Sequence, residues 1–337
     1  MSESAQVEHI LQQGVRDLWY PVLSSWEVAD VPVGITRLGQ NLAVWRDEAG
    51  NVHAIEDRCP HRGARLSLGW NLGDRLGCWY HGVEVNNEGF VIDVPAIEKN
   101  NMVGRQCVRS YPAVEKHGAV FVWFGTDLNA TPEPLQLPEQ LESDEWSNFL
   151  CSAEWACHYQ YAIDNVMDPM HGSYLHAKSH SMYQGNSRAR LREEATDTGF
   201  IFAKEGQTGV NFDWVEVGFS SSVWLRLSIP YQKKYGPGGS FWIIGLVTPV
   251  DANHCRVFFW RCRQVDDWEK ASWRFLYRHT LETLHWDVLV QDQVILENLA
   301  PDANTQERLY QHDVGLSRFR RRLTAMAQKQ AERVPND

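Results

Sequence analysis

Apolar residues recur along the chain with two different periods. From Trp19 to about Gly125 they fall in short β-branched and aromatic runs, at 33–36, 42–45, 52–55, 90–92 and 119–124, separated by turn residues such as Asn86-Asn-Glu-Gly89. Runs of this length between Gly and Asn punctuation predict short antiparallel strands, so residues 17–125 form one small all-β domain behind an N-terminal arm, 1–16, of weak helical period. Residues 126–146 carry Pro132, Pro134 and Pro138 among polar and acidic neighbours and are assigned to a linker. The remainder, 147–337, is a second domain. It opens with a helical stretch and loop at 159–180, followed by strand-like runs at 200–203, 223–229, 241–247 and 256–262, whose hairpin-like spacing predicts one antiparallel sheet. A long helical pattern at 266–298 includes Trp273, Leu276, Leu281, Leu284, Val288 and Ile295. A last helix at 305–331 carries Leu316, Phe319, Leu323 and Met326, with Arg320, Arg321 and Arg322 beside them. The fold class is α+β.

Composition narrows the partners. At 337 residues the chain exceeds what one hydrophobic core ordinarily serves, which agrees with two domains. The formal net charge of -11 opposes polyanion binding, so nucleic acid is not expected as a partner. No apolar run approaches the roughly 18 residues a bilayer span needs, and the polar start Met1-Ser-Glu-Ser has no signal-peptide character. The expectation is a soluble cytoplasmic protein with no membrane partner. Of seven cysteines only Cys59 and Cys78 stand in ligand-like settings; Cys107, Cys151, Cys157, Cys255 and Cys262 are expected to be buried, reduced packing residues.

The first candidate site is Cys59-Pro-His61 and, after a gap, Cys78-Trp-Tyr-His81-Gly82. Thiolate and imidazole ligands suit zinc or iron, so the donor set alone allows either a structural zinc clip or an iron–sulfur cluster. Its flanks, Cys59-Pro-His61-Arg-Gly63 and Cys78-Trp-Tyr-His81-Gly82, resemble the two loops of a Rieske [2Fe–2S] domain, in which two His replace two Cys on one iron and raise the reduction potential. Nearby Arg58, Arg62, Arg65 and Arg75 are read either as a docking patch for an acidic electron donor or as solvated surface residues.

The second candidate site is Asp164-Asn-Val-Met-Asp168-Pro-Met-His171-Gly-Ser-Tyr-Leu-His176. Two His and a carboxylate with open positions make the facial triad of non-haem Fe(II) oxygenases. Asp-x-x-His-x-x-x-x-His behind a Rieske-like domain resembles the catalytic domain of Rieske non-haem iron oxygenases, a helix-grip-like antiparallel sheet covered by helices. The resemblance implies that His171, His176 and Asp292 hold a mononuclear Fe(II), with Asp292 preferred to Asp287 for its context Asp292-Gln-Val-Ile-Leu-Glu297. It also implies that Asp168 bridges to a cluster ligand, His81, of a neighbouring subunit in a homotrimer or a dimer of trimers. His176 and His180, four apart, form a competing pair. His158 is left open, and His53, His117, His254, His279 and His312 are read as structural or surface groups.

In activity, the resemblance implies the terminal oxygenase of a multicomponent system. Electrons from NAD(P)H pass through a separate flavin reductase, with or without a ferredoxin, to activate O₂ beside a small aromatic or hydrophobic substrate that is hydroxylated, dihydroxylated or demethylated. The absence of a Gly-rich dinucleotide fingerprint fits a separate reductase. The shorter homo-oligomeric members, the vanillate O-demethylase and phthalate dioxygenase groups, are the nearest in pattern. A Rieske electron carrier without oxygenase activity and a structural zinc protein are the alternatives. In 223–229, alternation puts Val223, Leu225, Leu227 and Ile229 on one face and Trp224, Arg226 and Ser228 on the other; Arg226 is read as a solvated or interface residue, or as a partner for a substrate carboxylate if the polar face lines the cavity.

Overall fold

A computed structural model describes residues 2–127, 130–179, 184–231 and 239–333. The chain divides into two compact units, one of residues 12–134 with 248–252 and one of residues 1–11, 135–247 and 253–337.

Among the described residues, the smaller unit holds eleven short strands in three antiparallel sheets. β1 (Leu18–Ser24) pairs with β11 (Ala119–Phe124), which pairs with β10 (Ala113–Lys116). A second sheet runs β2 (Val33–Arg37), β3 (Gln40–Arg46), β4 (Val52–Glu56) and β9 (Ser110–Tyr111). The third, β5 (Trp70–Asn71), β6 (Arg75–Gly77), β7 (Glu84–Asn86) and β8 (Val91–Asp93), presents the Cys78 loop. Trp45, Ile55, Leu66, Leu76, Val85 and Val91 pack with both Cys59 and Cys78 into one core. The two thiols are therefore rooted in apolar packing that leaves their backbone little freedom.

The larger unit is built on a seven-stranded antiparallel sheet in the order β12, β18, β17, β16, β15, β14, β13. These strands are β12 (Trp146–Trp155), β13 (Leu191–Ala195), β14 (Gly199–Lys204), β15 (Trp214–Phe219), β16 (Val223–Tyr231), β17 (Gly239–Pro249) and β18 (Cys255–Gln264). Its helices are α1 (Glu3–Gln13), which starts in this unit, the short α2 (Glu139–Glu142), α3 (Tyr159–Met167) and α4 (Gly172–Leu175), then α5 (Asp267–Leu276), α6 (Glu282–Glu297), α7 (Ala303–Gln306) and α8 (Val314–Ala331). A π turn, Tyr277–Leu281, joins α5 to α6 and buries both of its end residues. No helix among the described residues is long and apolar enough to cross a membrane. All seven cysteines are free, but Cys107 is exposed, contrary to the expectation that it packs: it follows Gln106 on a loop that pairs with Phe90 at the edge of a sheet.

Candidate metal centres

The Cys59 and Cys78 loops have the same backbone construction. Cys59 N–H donates to Ala64 O at 2.7 Å and Gly63 N–H to Cys59 O at 2.9 Å; Cys78 N–H donates to Val83 O and Gly82 N–H to Cys78 O, both at 2.8 Å. Each loop closes through a glycine with φ of +75° at Gly63 and +72° at Gly82, a conformation costly for residues with a Cβ. Cys59 and Cys78 are buried and their sulfurs are within hydrogen-bond reach, while the rings of His61 and His81, both exposed, stand 4.6 Å apart. Burial pushes the Cys59 thiol up to about 11, against backbone N–H bonds from His61 and Arg62 that favour the thiolate. Those N–H groups are the kind of donor that tunes an iron–sulfur potential upward.

No three donor atoms of Cys59, His61, Cys78 and His81 come within 4.8 Å of one another, although all four residues are described. A tetrahedral zinc would draw four such atoms to roughly 3.3–3.8 Å apart, given metal–ligand bonds of about 2.0–2.3 Å. Two thiols in one pair and two imidazoles in another are what a two-iron cluster requires. Of the surrounding arginines, Arg75 is engaged with Glu84 (2.6 Å) and Asp74 (3.1 Å), and Arg62 lies over the Tyr80 ring at 5.5 Å; Arg58 and Arg65 are exposed.

The second centre begins where α3 ends. Pro169 pushes Asp168 out of the helical region, to φ −93° and ψ 102°, and the Asp168 carboxylate accepts Met170 N–H at 2.7 Å. The turn so formed aims the Asp168 carbonyl at His171 Nδ1, 2.6 Å away. A carbonyl only accepts, so Nδ1 carries the proton and Nε2 keeps its lone pair. His176 is fixed in the same way, its Nδ1 lying 2.9 Å from Gln291 Oε1.

Asp292, one residue beyond Gln291 on α6, brings Oδ1 to 3.1 Å from His176 Nε2 and 3.6 Å from His171 Nε2. The three donor atoms all lie within 4.8 Å of one another, and Asp292 Oδ1 is buried without a hydrogen-bond donor. Converging lone pairs with no compensating proton are unfavourable in a buried site unless a cation fills the gap. Burial works against charging His176, while Asp292 and Gln291 raise its affinity for a proton, as they would for another cation. Burial lowers that of His171. The donor set fits a divalent iron with further positions open.

Asp287 is exposed on the same helix. Asp168 comes no nearer to His171 Nδ1 than 4.0 Å through its carboxylate, whose side chain is 33% exposed. Asp164 turns away, its Oδ2 gripped by Arg320 Nε (3.1 Å) and Nη2 (2.7 Å). His158 caps α3, accepting Gln160 N–H, and His180 lies outside the described residues.

An apolar slot of about 60 Å³ adjoins the three donors. Asn165, Phe212, Leu227, Ile229, Ile243, Phe259, Val288 and Leu289 line it, together with Arg261. That is roughly the room of two water molecules. Phe212 is set edge-on to His171 at 5.6 Å by a tight loop in which Asp213 accepts Val210 N–H at 2.8 Å. The apolar face of β16 looks into the slot. Arg226 lies on the other face, paired with Glu216 and flanked by the Trp224 and Trp242 rings, and so cannot serve a substrate there. Sequence reasoning missed Asn165, Gln291, Phe212 and Arg261; only Gln291, beside Asp292, and Asn165, within the His box, stood next to a recognised motif.

Residues 18–112 match the Rieske [2Fe-2S] domain, and residues 155–329 match the vanillate O-demethylase oxygenase C-terminal domain. The vanillate O-demethylase oxygenase subunit of Pseudomonas sp. strain HR199 is 36% identical over 164 residues, 49% of this chain and 46% of that protein. The chain thus spans about half the length of the curated relatives it matches. Among solved structures, dicamba monooxygenase bound to dicamba superposes with a TM-score of 0.73 at 24% identity, covering 95% of this chain and 99% of that one. The oxygenase in a reduced complex with ferredoxin from carbazole 1,9a-dioxygenase gives 0.74 at 19% identity, covering 98% and 94%. Both likenesses are of fold.

Proposed function

The chain belongs to the vanillate O-demethylase oxygenase family of Rieske non-haem iron proteins, and from that premise we propose that it is the terminal oxygenase of a multicomponent system acting on a small aromatic or otherwise hydrophobic molecule. The observation that carries the reading is the convergence of His171 Nε2, His176 Nε2 and Asp292 Oδ1 within 4.8 Å beside an apolar slot, in a chain that also holds the Cys59/His61 and Cys78/His81 loops. A pure electron carrier has no use for that second donor set.

In this reading Cys59, His61, Cys78 and His81 hold the [2Fe–2S] cluster and His171, His176 and Asp292 the mononuclear Fe(II). When bound, these groups supply single electrons and a site of reductive O₂ activation. The protein's part is orientation and exclusion. Asp168 O and Gln291 hold both imidazoles with their Nε2 lone pairs inward. Phe212, Leu227, Ile229 and Val288 keep bulk water from the slot and give an aromatic ring apolar contact. Hydroxylation and O-demethylation both suit such a slot, and the vanillate O-demethylase relative favours the latter. Electrons would come from NAD(P)H through a reductase, directly or by way of a ferredoxin, and the working form would be a homotrimer in which Asp168 meets His81 of another subunit.

Metal analysis tests the assignment. The purified protein should contain about three irons and two acid-labile sulfides per chain and show a rhombic resonance on reduction. His171→Ala should lose about one iron and keep the resonance. Zinc in the Cys59 loops, or an unchanged iron content in His171→Ala, would overturn the assignment.

A further inference from the structure

The two ligand loops of the smaller unit share a backbone construction but are closed at the base in different ways. The Cys78 loop joins β6 to β7, and the ladder pairs of Leu76 with Val85 and Gly77 with Glu84 close it from below. The Cys59 loop has no such ladder. It leaves β4 at Glu56 and runs into a single 3-10 turn, Leu66–Leu68, and no residue from 57 to 69 belongs to a strand.

A side-chain clamp closes it instead. The Asp57 carboxylate accepts Ser67 N–H on Oδ1 at 2.7 Å and the Ser67 hydroxyl on Oδ2 at 2.6 Å, which ties together the two residues that bracket Cys59, His61 and Gly63. The Ser67 amide lies in the first turn of a helix too short to give it a partner, so the carboxylate supplies the missing acceptor. Asp57 N–H donates in turn to Asn41 O at 3.0 Å and fixes the clamp to β3. On the side of β2 there is no room to spare: a Cβ on Gly34 would stand 2.5 Å from Ser67 Oγ and 3.1 Å from Asp57 Oδ2.

Asp57 is 5% exposed, and among the described residues no cation pairs with it. Both of its oxygens accept donors, which is how a carboxylate anion is held. The N–H and O–H of one serine disperse that charge without neutralising it. Iron–sulfur potentials respond to nearby charge and to hydrogen bonds on the sulfurs. A cluster becomes more negative on reduction, so a buried anion two residues before Cys59 opposes the incoming electron, while the N–H groups of His61 and Arg62 on Cys59 favour it.

We propose that the Asp57–Ser67 clamp tunes the reduction potential of the cluster: Asp57 lowers it through its charge, Ser67 limits that effect by donating to the carboxylate, and the pair together holds the Cys59 loop in shape. Both are positioning residues and neither is a ligand. The proposal deepens the oxygenase reading and rests on it for the statement that these loops hold a two-iron cluster.

The test is a potentiometric titration of the purified, cluster-containing protein, followed by its resonance on reduction, for wild type, Asp57→Asn and Ser67→Ala. Asp57→Asn keeps the shape and both contacts, since its amide can donate to the Ser67 hydroxyl, but removes the charge. It should raise the equilibrium constant for one-electron reduction about three- to tenfold. Ser67→Ala keeps the charge and strips the carboxylate of one donor, so it should move the same constant the opposite way by a smaller factor. Acid-labile sulfide and the g values should stay those of wild type in both variants. A clamp with a structural role alone predicts cluster loss, or shifts of one sign in both. An unmoved potential in Asp57→Asn, shifts of the same sign, or loss of the cluster from both variants would each overturn the proposal. If only Asp57→Asn fails to fold or to hold its cluster, Ser67→Ala decides, a fall in the constant supporting the role and anything else refuting it. Sulfide content separates the two readings. Labile sulfide in wild type with a potential indifferent to Asp57 refutes the clamp's role and leaves the cluster standing; a wild type without labile sulfide refutes the cluster and the clamp's role with it.

Discussion

Gln291 shows how a residue that touches no metal decides whether its neighbour can be a ligand. Its Oε1 sits 2.9 Å from His176 Nδ1, so the ring proton is held there and the Nε2 lone pair faces Asp292 and His171. Replacing Gln291 by Ala removes the acceptor and frees the ring to turn or change tautomer. We expect Gln291→Ala to bind the mononuclear iron about 10–100-fold more weakly, as the loss of such supporting bonds does elsewhere. The Rieske resonance should be unchanged; competition with a calibrated chelator measures the first and the reduced spectrum the second. Equal iron affinity in the variant would remove Gln291 from the centre. The two His stood out because their spacing is local and chemically unusual, whereas Asp292 came only from the resemblance of its context Asp292-Gln-Val-Ile-Leu-Glu297. Gln291 and Arg261 did not stand out, since each reaches the site only through α6 or β18. Arg226 illustrates the limit: alternation separates two faces of a strand, but nothing in 223–229 says which face the helices will cover.

Among elements, α3, α7 and α8 are joined by one guanidinium. Arg320 of α8 donates from Nε and Nη2 to Asp164 of α3, and from Nη1 and Nη2 to Glu307, just past α7. Two carboxylates on one buried-side cation leave an uncompensated negative charge, and Asp164 Oδ1 is buried without a donor. Burial, opposed by Arg320 and assisted by Glu307, pushes Asp164 up to about 7 from its ordinary value of 3.8. A carboxyl whose affinity for protons is higher folded than unfolded binds more protons in the native state between those two values. Stability is therefore full below about pH 4 as far as this group is concerned, and is lost as pH rises to 7, by on the order of a few kcal/mol. Denaturant midpoints should fall from pH 4.5 to 7.5 in the wild type, and Asp164→Asn should flatten that slope; a parallel slope in the variant would discard the explanation. At this scale the sequence marked the buried strands β11, β16 and β18, but it passed over β12, which begins at Trp146 in the expected linker, and β15, whose four central residues are buried. It failed at β13, Leu-Arg-Glu-Glu-Ala, an edge strand with four exposed residues that nothing apolar marks. The π turn was equally invisible, because 266–298 keeps an apolar helical period across Tyr277–Leu281.

For the whole molecule the question is which chain's cluster serves which chain's iron. His61 and His81 face solvent in the smaller unit, and the Asp168 carboxylate is one-third exposed in the larger. Each end of the proposed bridge is thus open to another copy of the chain, and a closed ring of identical contacts satisfies every such pair at once. This makes a prediction about mixtures. Cys59→Ser removes a cluster ligand and His171→Ala an iron ligand, so each homo-oligomer alone should be inactive with substrate, reductase and O₂. If electrons cross between subunits, coexpression at equal levels should restore about a quarter of wild-type turnover, since a productive contact needs an intact cluster on one side and an intact iron site on the other, each present half the time. If electrons stay within a chain, every mixed assembly is as dead as its parents, because no single chain carries both centres. Turnover of the coexpressed protein, compared with the two homo-oligomers mixed after assembly, decides between these routes. Inactive coexpressed material of normal size, holding about half the wild-type content of each metal centre, would confine transfer to one chain and remove Asp168 from any role between subunits.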